Sequence, residues 1–401
     1  MPSKKVLFVI ACMKGGGAER IVIALSNQMK KFGTDVKIML TNQRAEDAFR
    51  RDLDDSIELL SLESMTEKAD ALTTARYALS GIKSRIECAA IEKLGKPMTA
   101  KAAYQSFMWQ NYGKVAALRN YLQNNADTAV IAFLQPSIPM VMLAAQGLPN
   151  RIIFSERGNS ERLMKGRYGY AFAERFYQRA DAAVFQSEGA MQPYPENIRA
   201  KGTVIFNPIS AELPQPHIGE RQKVIVNFCR IAKQKNLPLL LEAFEKFYRE
   251  HNDYKLLIIG DAYTDSEKEL KNQLEQFVLE KGIADAVSIL PFMSNVHEHI
   301  KDFAMFVSSS DYEGMSNSML EAMAIGLPCV CTDCPAGGAR AVIKNGENGL
   351  LVPVGDADAL FGAMKEVAES SALAQKLSMG GIKLRESLKL QNITKQWMSL
   401  L

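Results

Sequence analysis

The strongest constraint on this chain is a repeated pairing of a short, unbroken apolar run with a segment of helical period. Residues 4–13, KKVLFVIACM, form the first run, bounded by charge and by Gly15-Gly16-Gly17. Continuous apolar runs of this length are expected of parallel strands covered on both faces. The following segment, 18–31, sets Ile21, Val22, Leu25 and Met29 on one helical face, with Glu19 in the first turn where the dipole favours an anion. The same alternation predicts strands at 36–41, 57–62, 128–134, 151–155 and 182–186, with helices at 140–146 and 169–180. A polar stretch without period, 210–222, reads as a linker. The pattern then restarts with strands at 224–229, 255–259 and 287–290 and helices at 237–248 and 267–281. Two consecutive α/β halves of ~200 residues each follow from this, with ligands at the carboxyl ends of the strands.

Composition narrows the class. At 401 residues, 47% hydrophobic and 23% charged, the chain is an ordinary globular protein, too long for one typical domain. Neither a secretory leader nor a membrane span is read: the opening apolar run is too short, and 129–148 is broken by Gln135, Pro136 and Pro139. The six cysteines lack paired spacing, which suits a reducing cytoplasm; Cys329, Cys331 and Cys334 have no partner cluster for zinc. His297 and His299 are two apart and face different ways on a helix, so no metal site is read there. The net charge of +3 hides an asymmetry, for residues 1–208 hold 28 Lys+Arg against 20 Asp+Glu. The excess gathers in a helical segment, 64–123, where Leu79, Ile82, Ile86 and Ala90 make an apolar stripe with Arg76 and Lys83 to one side. This surface is either a solvated helix or a docking face for anionic lipid or a lipid-linked pyrophosphate.

The most informative stretch for chemistry is 308–332, SSSDYEGMSNSMLEAMAIGLPCVCT, with Glu313 and Glu321 eight positions apart. A buried strand precedes it, and 319–325 reads as a helix stopped by Gly326 and Pro328. The turn between them, 313–318, offers backbone N–H groups at a helix opening, a natural seat for a diphosphate. Glu321, one turn in, either grips a diol or completes a capping box with Ser318. Asp356 and Asp358 read as a helix cap, not a metal clamp. The triple glycine brings backbone close to a ligand, yet a dinucleotide fingerprint would need glycine where Arg20 stands.

These residues together resemble the retaining GT-B glycosyltransferases of family 4, over nearly the whole chain. The matching features are Gly16-Gly17-Ala18-Glu19-Arg20, the Arg230 and Lys235 pair, the Gly260 turn, the Glu313-x7-Glu321 spacing with Leu327-Pro328, and the stretch from Asn345 to Leu351. The resemblance implies an α/β GT-B fold: two Rossmann-like doubly wound domains facing across a central cleft. Residues 1–208 would bind acceptor and 209–385 the nucleotide-sugar, with 386–401 a helix packing back toward the first domain. By the same resemblance Arg230 and Lys235 neutralise the donor diphosphate, Glu321 binds the ribose hydroxyls and Glu313 faces the transferred sugar. Gly314, Asn317, Ser318 and Met319 supply the phosphate turn, Gly16 and Gly17 close on the diphosphate, and Phe292 and Met293 flank the base. Many family members place a histidine after the strand matching 151–155, where this chain has Glu156, Arg157 and Asn159; these three are the expected acceptor-side residues.

The expected activity is transfer of a hexose or N-acetylhexosamine from a UDP-sugar to a polyprenyl-diphosphate-linked or other cell-surface glycan, with retention, no cofactor and no metal. The expected setting is cytoplasmic, peripheral on the inner membrane through the basic N-terminal domain, without nucleic acid. The alternatives are a nucleotide-sugar epimerase or hydrolase on the same scaffold and a non-catalytic sugar-nucleotide-binding subunit.

Overall fold

The computed structural model describes residues 4–14, 16–48, 50–66, 93, 99–210 and 212–401. The chain divides into two compact units, Met1–Phe206 with Leu390–Leu401, and Asn207–Lys389. The basic, apolar-striped part of the 64–123 segment, with Arg76, Leu79, Ile82, Lys83, Ile86 and Ala90, lies outside the described residues. Among the described residues no helix is long and apolar enough to cross a membrane.

Unit 1 is a seven-stranded parallel sheet of β1 (Lys5–Ile10), β2 (Asp35–Leu40), β3 (Glu58–Ser61), β4 (Thr128–Phe133), β5 (Ile152–Ser155), β6 (Ala182–Phe185) and β7 (Gly202–Val204). Its strand order is β3-β2-β1-β4-β5-β6-β7. Every residue of β1 after Lys5 is buried, and β5 and β6 are buried throughout, as a sheet covered on both faces requires. The helix Gly17–Lys31 buries Ile21, Val22, Leu25 and Met29 and ends before Gly33, whose φ of 84° only glycine adopts freely. The helix Ala100–Asn124 supplies Phe107, Leu118 and Leu122 to the core over β4. The chain's last helix, Leu390–Met398, places the fully buried Trp397 on Phe133, ring centroids 5.5 Å apart.

Unit 2 is a six-stranded parallel sheet of β8 (Gln222–Phe228), β9 (Lys255–Ile259), β10 (Val287–Leu290), β11 (Phe303–Ser308), β12 (Cys329–Thr332) and β13 (Leu350–Val352). The order β10-β9-β8-β11-β12-β13 reverses direction between β8 and β11. The helix Leu237–Glu250 is opened by Asn236, left-handed at φ 42°, whose side chain accepts from Leu239 N–H, with a proline in its first turn. It packs Leu240, Leu241, Phe244 and Phe247, all fully buried, into the unit's core. Each such side chain contributes about 1.5–3 kcal/mol by leaving water. Both units are thus Rossmann-like, doubly wound α/β domains.

Candidate active site

In a doubly wound sheet the crevice for ligands opens at the carboxyl ends of the strands, where the strand order reverses. In unit 2 that point lies between β8 and β11, and the residues leaving these two strands meet there. Cys229 and Arg230 follow β8 and lead into a short turn, Lys233–Lys235. Ser309 to Ser316 follow β11 and lead into the helix Asn317–Ala324. The two connections are laced together: Ser309 Oγ donates to the Lys235 carbonyl at 2.9 Å, Asp311 N–H to the Gln234 carbonyl at 2.9 Å, and Asn236 Nδ2 to Asp311 Oδ1 at 2.7 Å. Thr332 Oγ1, from the end of β12, donates to the Ser310 carbonyl at 2.6 Å.

This lacing presents Lys235 to Glu313. Lys235 Nζ donates to Glu313 Oε1 in an ion pair whose side chains are only 16% and 17% exposed. Ser310 Oγ and Gln234 Nε2 also donate to that oxygen, both at 3.4 Å. Burial is the largest single influence and opposes the Lys235 ammonium, but the charge of Glu313, Cys229 and the Glu313 hydrogen bond together outweigh it, so its pKa is raised. Burial pushes the nearby Cys229 and Cys334 thiols up to about 11 each, so they stay protonated at neutral pH and Glu313 is the anion facing Lys235.

Arg230 takes a different partner. Its Nε lies 3.3 Å from Glu267 Oε1, on the first turn of the helix Asp265–Glu280. Burial works against the Glu267 carboxylate, yet the backbone N–H groups of Tyr263 and Thr264, together with Arg230, hold it below the usual range. The Arg230 side chain remains 53% exposed at the rim, a cation available to a ligand.

Glu321 is paired with a residue that local pattern does not reveal. Its Oε2 lies 3.0 Å from His297 Nε2, and the His297 ring stands edge-on to Phe228, which in turn packs on Phe306. The capping-box expectation is corrected here. Ser316, not Ser318, caps the helix by accepting from Met319 N–H at 3.3 Å, and the helix begins at Asn317, two residues before the expected start. Ser318 Oγ instead donates to the Phe228 carbonyl at 2.6 Å, tying the helix opening to β8. Arg230 and Lys235 have Glu267 and Glu313 as their carboxylate partners.

The remaining unit 2 residues fall around this centre. Asn317 Oδ1 accepts from Asn207 Nδ2 at 2.6 Å, and Met319 is buried in the core. Gly314 packs so tightly against Gly338 that a Cβ at Gly338 would lie 1.6 Å from the Gly314 carbonyl oxygen. Gly260 similarly faces the Cys229 carbonyl, 1.8 Å from where a Cβ would stand, so the turn after β9 is closed on the start of the Arg230 segment. Phe292 is 47% exposed after β10, its N–H held by Asp261 Oδ1 at 3.0 Å, and Met293 beside it is half-buried. Asp356 caps the helix Ala357–Glu369 through Ala359 N–H at 2.8 Å. Among the described residues, Glu250, His251 and Glu369 could together hold a metal ion, but they lie where the helix Leu237–Glu250 ends, at the opposite edge of the sheet, and Lys365 already pairs with both glutamates.

In unit 1, Gly16 caps the helix Gly17–Lys31, and the Glu19 carboxylate folds back to accept from Gly16 N–H at 2.7 Å and Lys14 N–H at 2.5 Å. The glycine turn is therefore drawn tight by its own glutamate. Glu156, at the end of β5, is 1% exposed. Its Oε1 accepts from Arg157 N–H at 2.9 Å and Gly158 N–H at 2.8 Å. Burial pushes its pKa up to about 7, against the pull of those N–H groups, the Arg157 charge and Tyr194. Arg157 lies over the rings of Phe133 and Trp397, 5.4 and 5.3 Å from their centroids, and its Nε donates to Ser155 Oγ at 2.7 Å. Burial lowers its pKa to about 9. Asn159 caps the helix Ser160–Lys165 by accepting from Arg162 N–H.

Residues 209–384 match the family model described as Glycosyl transferases group 1. A Campylobacter jejuni N-acetylgalactosamine-N,N'-diacetylbacillosaminyl-diphospho-undecaprenol 4-alpha-N-acetylgalactosaminyltransferase is 26% identical over 264 residues, 62% of this chain and 68% of that protein. A second C. jejuni protein, a GalNAc-alpha-(1->4)-GalNAc-alpha-(1->3)-diNAcBac-PP-undecaprenol alpha-1,4-N-acetyl-D-galactosaminyltransferase, is 23% identical over 99% of this chain and 98% of its own. Among solved structures, Anabaena HepE in complex with UDP superposes with a TM-score of 0.74 at 16% identity, covering 98% of both chains. Staphylococcus aureus TarM superposes with a TM-score of 0.71 at 12% identity, covering 99% of both. The fold is GT-B, and the match to the group 1 glycosyl transferase model spans residues 209–384 of unit 2.

Proposed function

We propose that the protein is a retaining, metal-independent glycosyltransferase of family 4 that moves a hexose or N-acetylhexosamine from a UDP-sugar to a lipid-linked or cell-surface glycan. The observation that carries this reading is the Lys235–Glu313 pair, three-quarters and more sheltered from water, at the switch point of the group 1 domain. A nucleotide-sugar leaves as a diphosphate, and the charge that develops on it must meet fixed cations and N–H dipoles. Lys235, rim-exposed Arg230 and the opening of the helix Asn317–Ala324, with Gly314, Asn317, Ser318 and Met319, supply those groups. When the diphosphate engages Lys235, Glu313 is released from its partner and faces the sugar, where its charge stabilises oxocarbenium-like character. Glu321, steadied by His297, keeps an oxygen for the ribose hydroxyls, and exposed Phe292 with Met293 flanks the base.

Within unit 1, Glu156, Arg157 and Asn159 shape the acceptor side. Glu156 does so from within the core, as a buried, proton-holding support, with half-buried Arg157 beside it. The two Campylobacter relatives are named for undecaprenol-linked substrates, which supports a polyprenyl-linked acceptor. The test is UDP release from a panel of UDP-sugars in EDTA, with and without lipid-linked glycans, and the anomeric configuration of the product by NMR. Acceptor-dependent release with retention is expected; inversion, or free sugar epimer as the product, overturns the reading.

A further inference from the structure

The backbone on either side of Arg230 is pinned to the exit of the neighbouring strand β9. Cys229 N–H donates to the Ile259 carbonyl and Ile231 N–H to the Asp261 carbonyl, each at 3.0 Å. A fixed backbone does not fix the side chain. An arginine that is 53% exposed keeps many rotamers, and freezing one of them on a ligand costs affinity. A partner that holds the guanidinium in place beforehand removes part of that cost.

Glu267 is such a partner, because its two oxygens do separate work. Oε2 accepts from Tyr263 N–H at 2.9 Å and Thr264 N–H at 3.1 Å, which closes a capping box with Thr264 at the start of the helix Asp265–Glu280. The cap needs no more than that oxygen. Oε1 is left over and meets Arg230 Nε at 3.3 Å. The Glu267 side chain is 12% exposed, far more sheltered than the arginine, so an anion arriving from solvent meets the guanidinium and not the carboxylate. Contact at Nε also leaves the Nη1 and Nη2 edge of the fork, which spans two phosphate oxygens.

We propose that Glu267 is a positioning residue for a bound nucleoside diphosphate, holding the Arg230 guanidinium where it meets the phosphate charge. This rests on the transferase reading above and adds a residue that acts through Arg230. Calorimetric titration of UDP and NMR titration of uridine into the full chain test it in wild type, Glu267→Gln, Arg230→Met and the double variant. Glutamine keeps an oxygen for the two N–H groups and turns an amide NH2 toward Arg230. UDP affinity should fall about five- to tenfold in Glu267→Gln, the size of one lost charge-assisted contact, while uridine, which has no phosphate, stays within about twofold. The double variant should match Arg230→Met within about twofold, because the effect passes through the arginine. Thr264→Ala, which removes only the cap, should lower the melting temperature of unit 2 and leave UDP affinity unchanged. Unchanged or tighter UDP binding in Glu267→Gln, an equal loss for uridine or in Thr264→Ala, or a further loss on top of Arg230→Met overturns the proposal. If UDP binding follows the expected pattern but no sugar is transferred from any UDP-sugar, the transferase reading fails and the role of Glu267 stands.

Discussion

Breaking the Lys235–Glu313 pair one side at a time separates its structural from its chemical role. Lys235→Met leaves a carboxylate that is 17% exposed with only Ser310 Oγ and Gln234 Nε2, each at 3.4 Å, to solvate it. Removing one partner of a buried pair costs about 3–5 kcal/mol; the residual exposure and two weak donors reduce this to about 2–3 kcal/mol. Glu313→Gln strands the ammonium and costs a similar amount. The double variant removes both charges and should recover to within about 1 kcal/mol of wild type, a coupling of about 3–6 kcal/mol. In a unit of this size the single variants then melt about 4–12 °C lower. Because Trp109 and Trp397 both belong to unit 1, tryptophan fluorescence is blind to unit 2, so calorimetry must read the change and fluorescence serves as the unchanged control. Turnover should fall at least about a hundredfold in all three variants, since the double variant restores packing but not charge at the leaving group. The raised pKa of Lys235 sets the pH sense: the pair's contribution is full below 10.5 and is lost only as pH rises through the higher folded value. Single variants with additive effects, or a double variant with restored turnover, would refute this division of labour.

Other perturbations probe the surrounding contacts. Glu156→Gln removes a buried carboxyl whose pKa, raised from 4.5 to about 7, makes folded unit 1 bind the extra proton, so wild-type stability falls as pH rises through that window. Tryptophan-monitored unfolding should show a loss of about 3 kcal/mol between pH 4.5 and 8 in wild type and a flatter profile in the variant. His297→Ala frees Glu321 from its donor and should raise the donor KM about tenfold with kcat within about twofold, while His297→Gln keeps most of the affinity. Gly338→Ala drives a methyl into the Gly314 carbonyl and should destabilise unit 2 by about 1–3 kcal/mol and cut turnover more than tenfold; steady-state kinetics with calorimetry checks both.

The strands were legible because a parallel sheet buried on both faces leaves an unbroken apolar signature, as in Val6 to Ile10 or Phe303 to Val307. The glycine turns and the Glu313 to Glu321 segment were legible for a related reason, since close backbone approach and a polar helix opening leave local composition cues. What local pattern does not carry is pairing across the fold. His297 meets Glu321 only because the connection from β10 to β11 passes beside the helix after β11, and its two-residue spacing from His299 argued against a shared site. The helix start was misplaced because Ser316 and Ser318 are equally good caps in sequence; the tertiary bond from Ser318 to the Phe228 carbonyl leaves Ser316 the role. Glu267 as the anchor of Arg230 is likewise a contact between successive strand exits, and Arg157 between Phe133 and Trp397 joins segments from opposite ends of the chain.

The most direct measurement is donor turnover without divalent ions: UDP released from UDP-sugars in excess EDTA by wild-type protein and by Lys235→Met. Release that persists in EDTA and falls at least about a hundredfold in the variant is expected if fixed cations stabilise the departing diphosphate. Release abolished by EDTA, or undiminished in Lys235→Met, would contradict it.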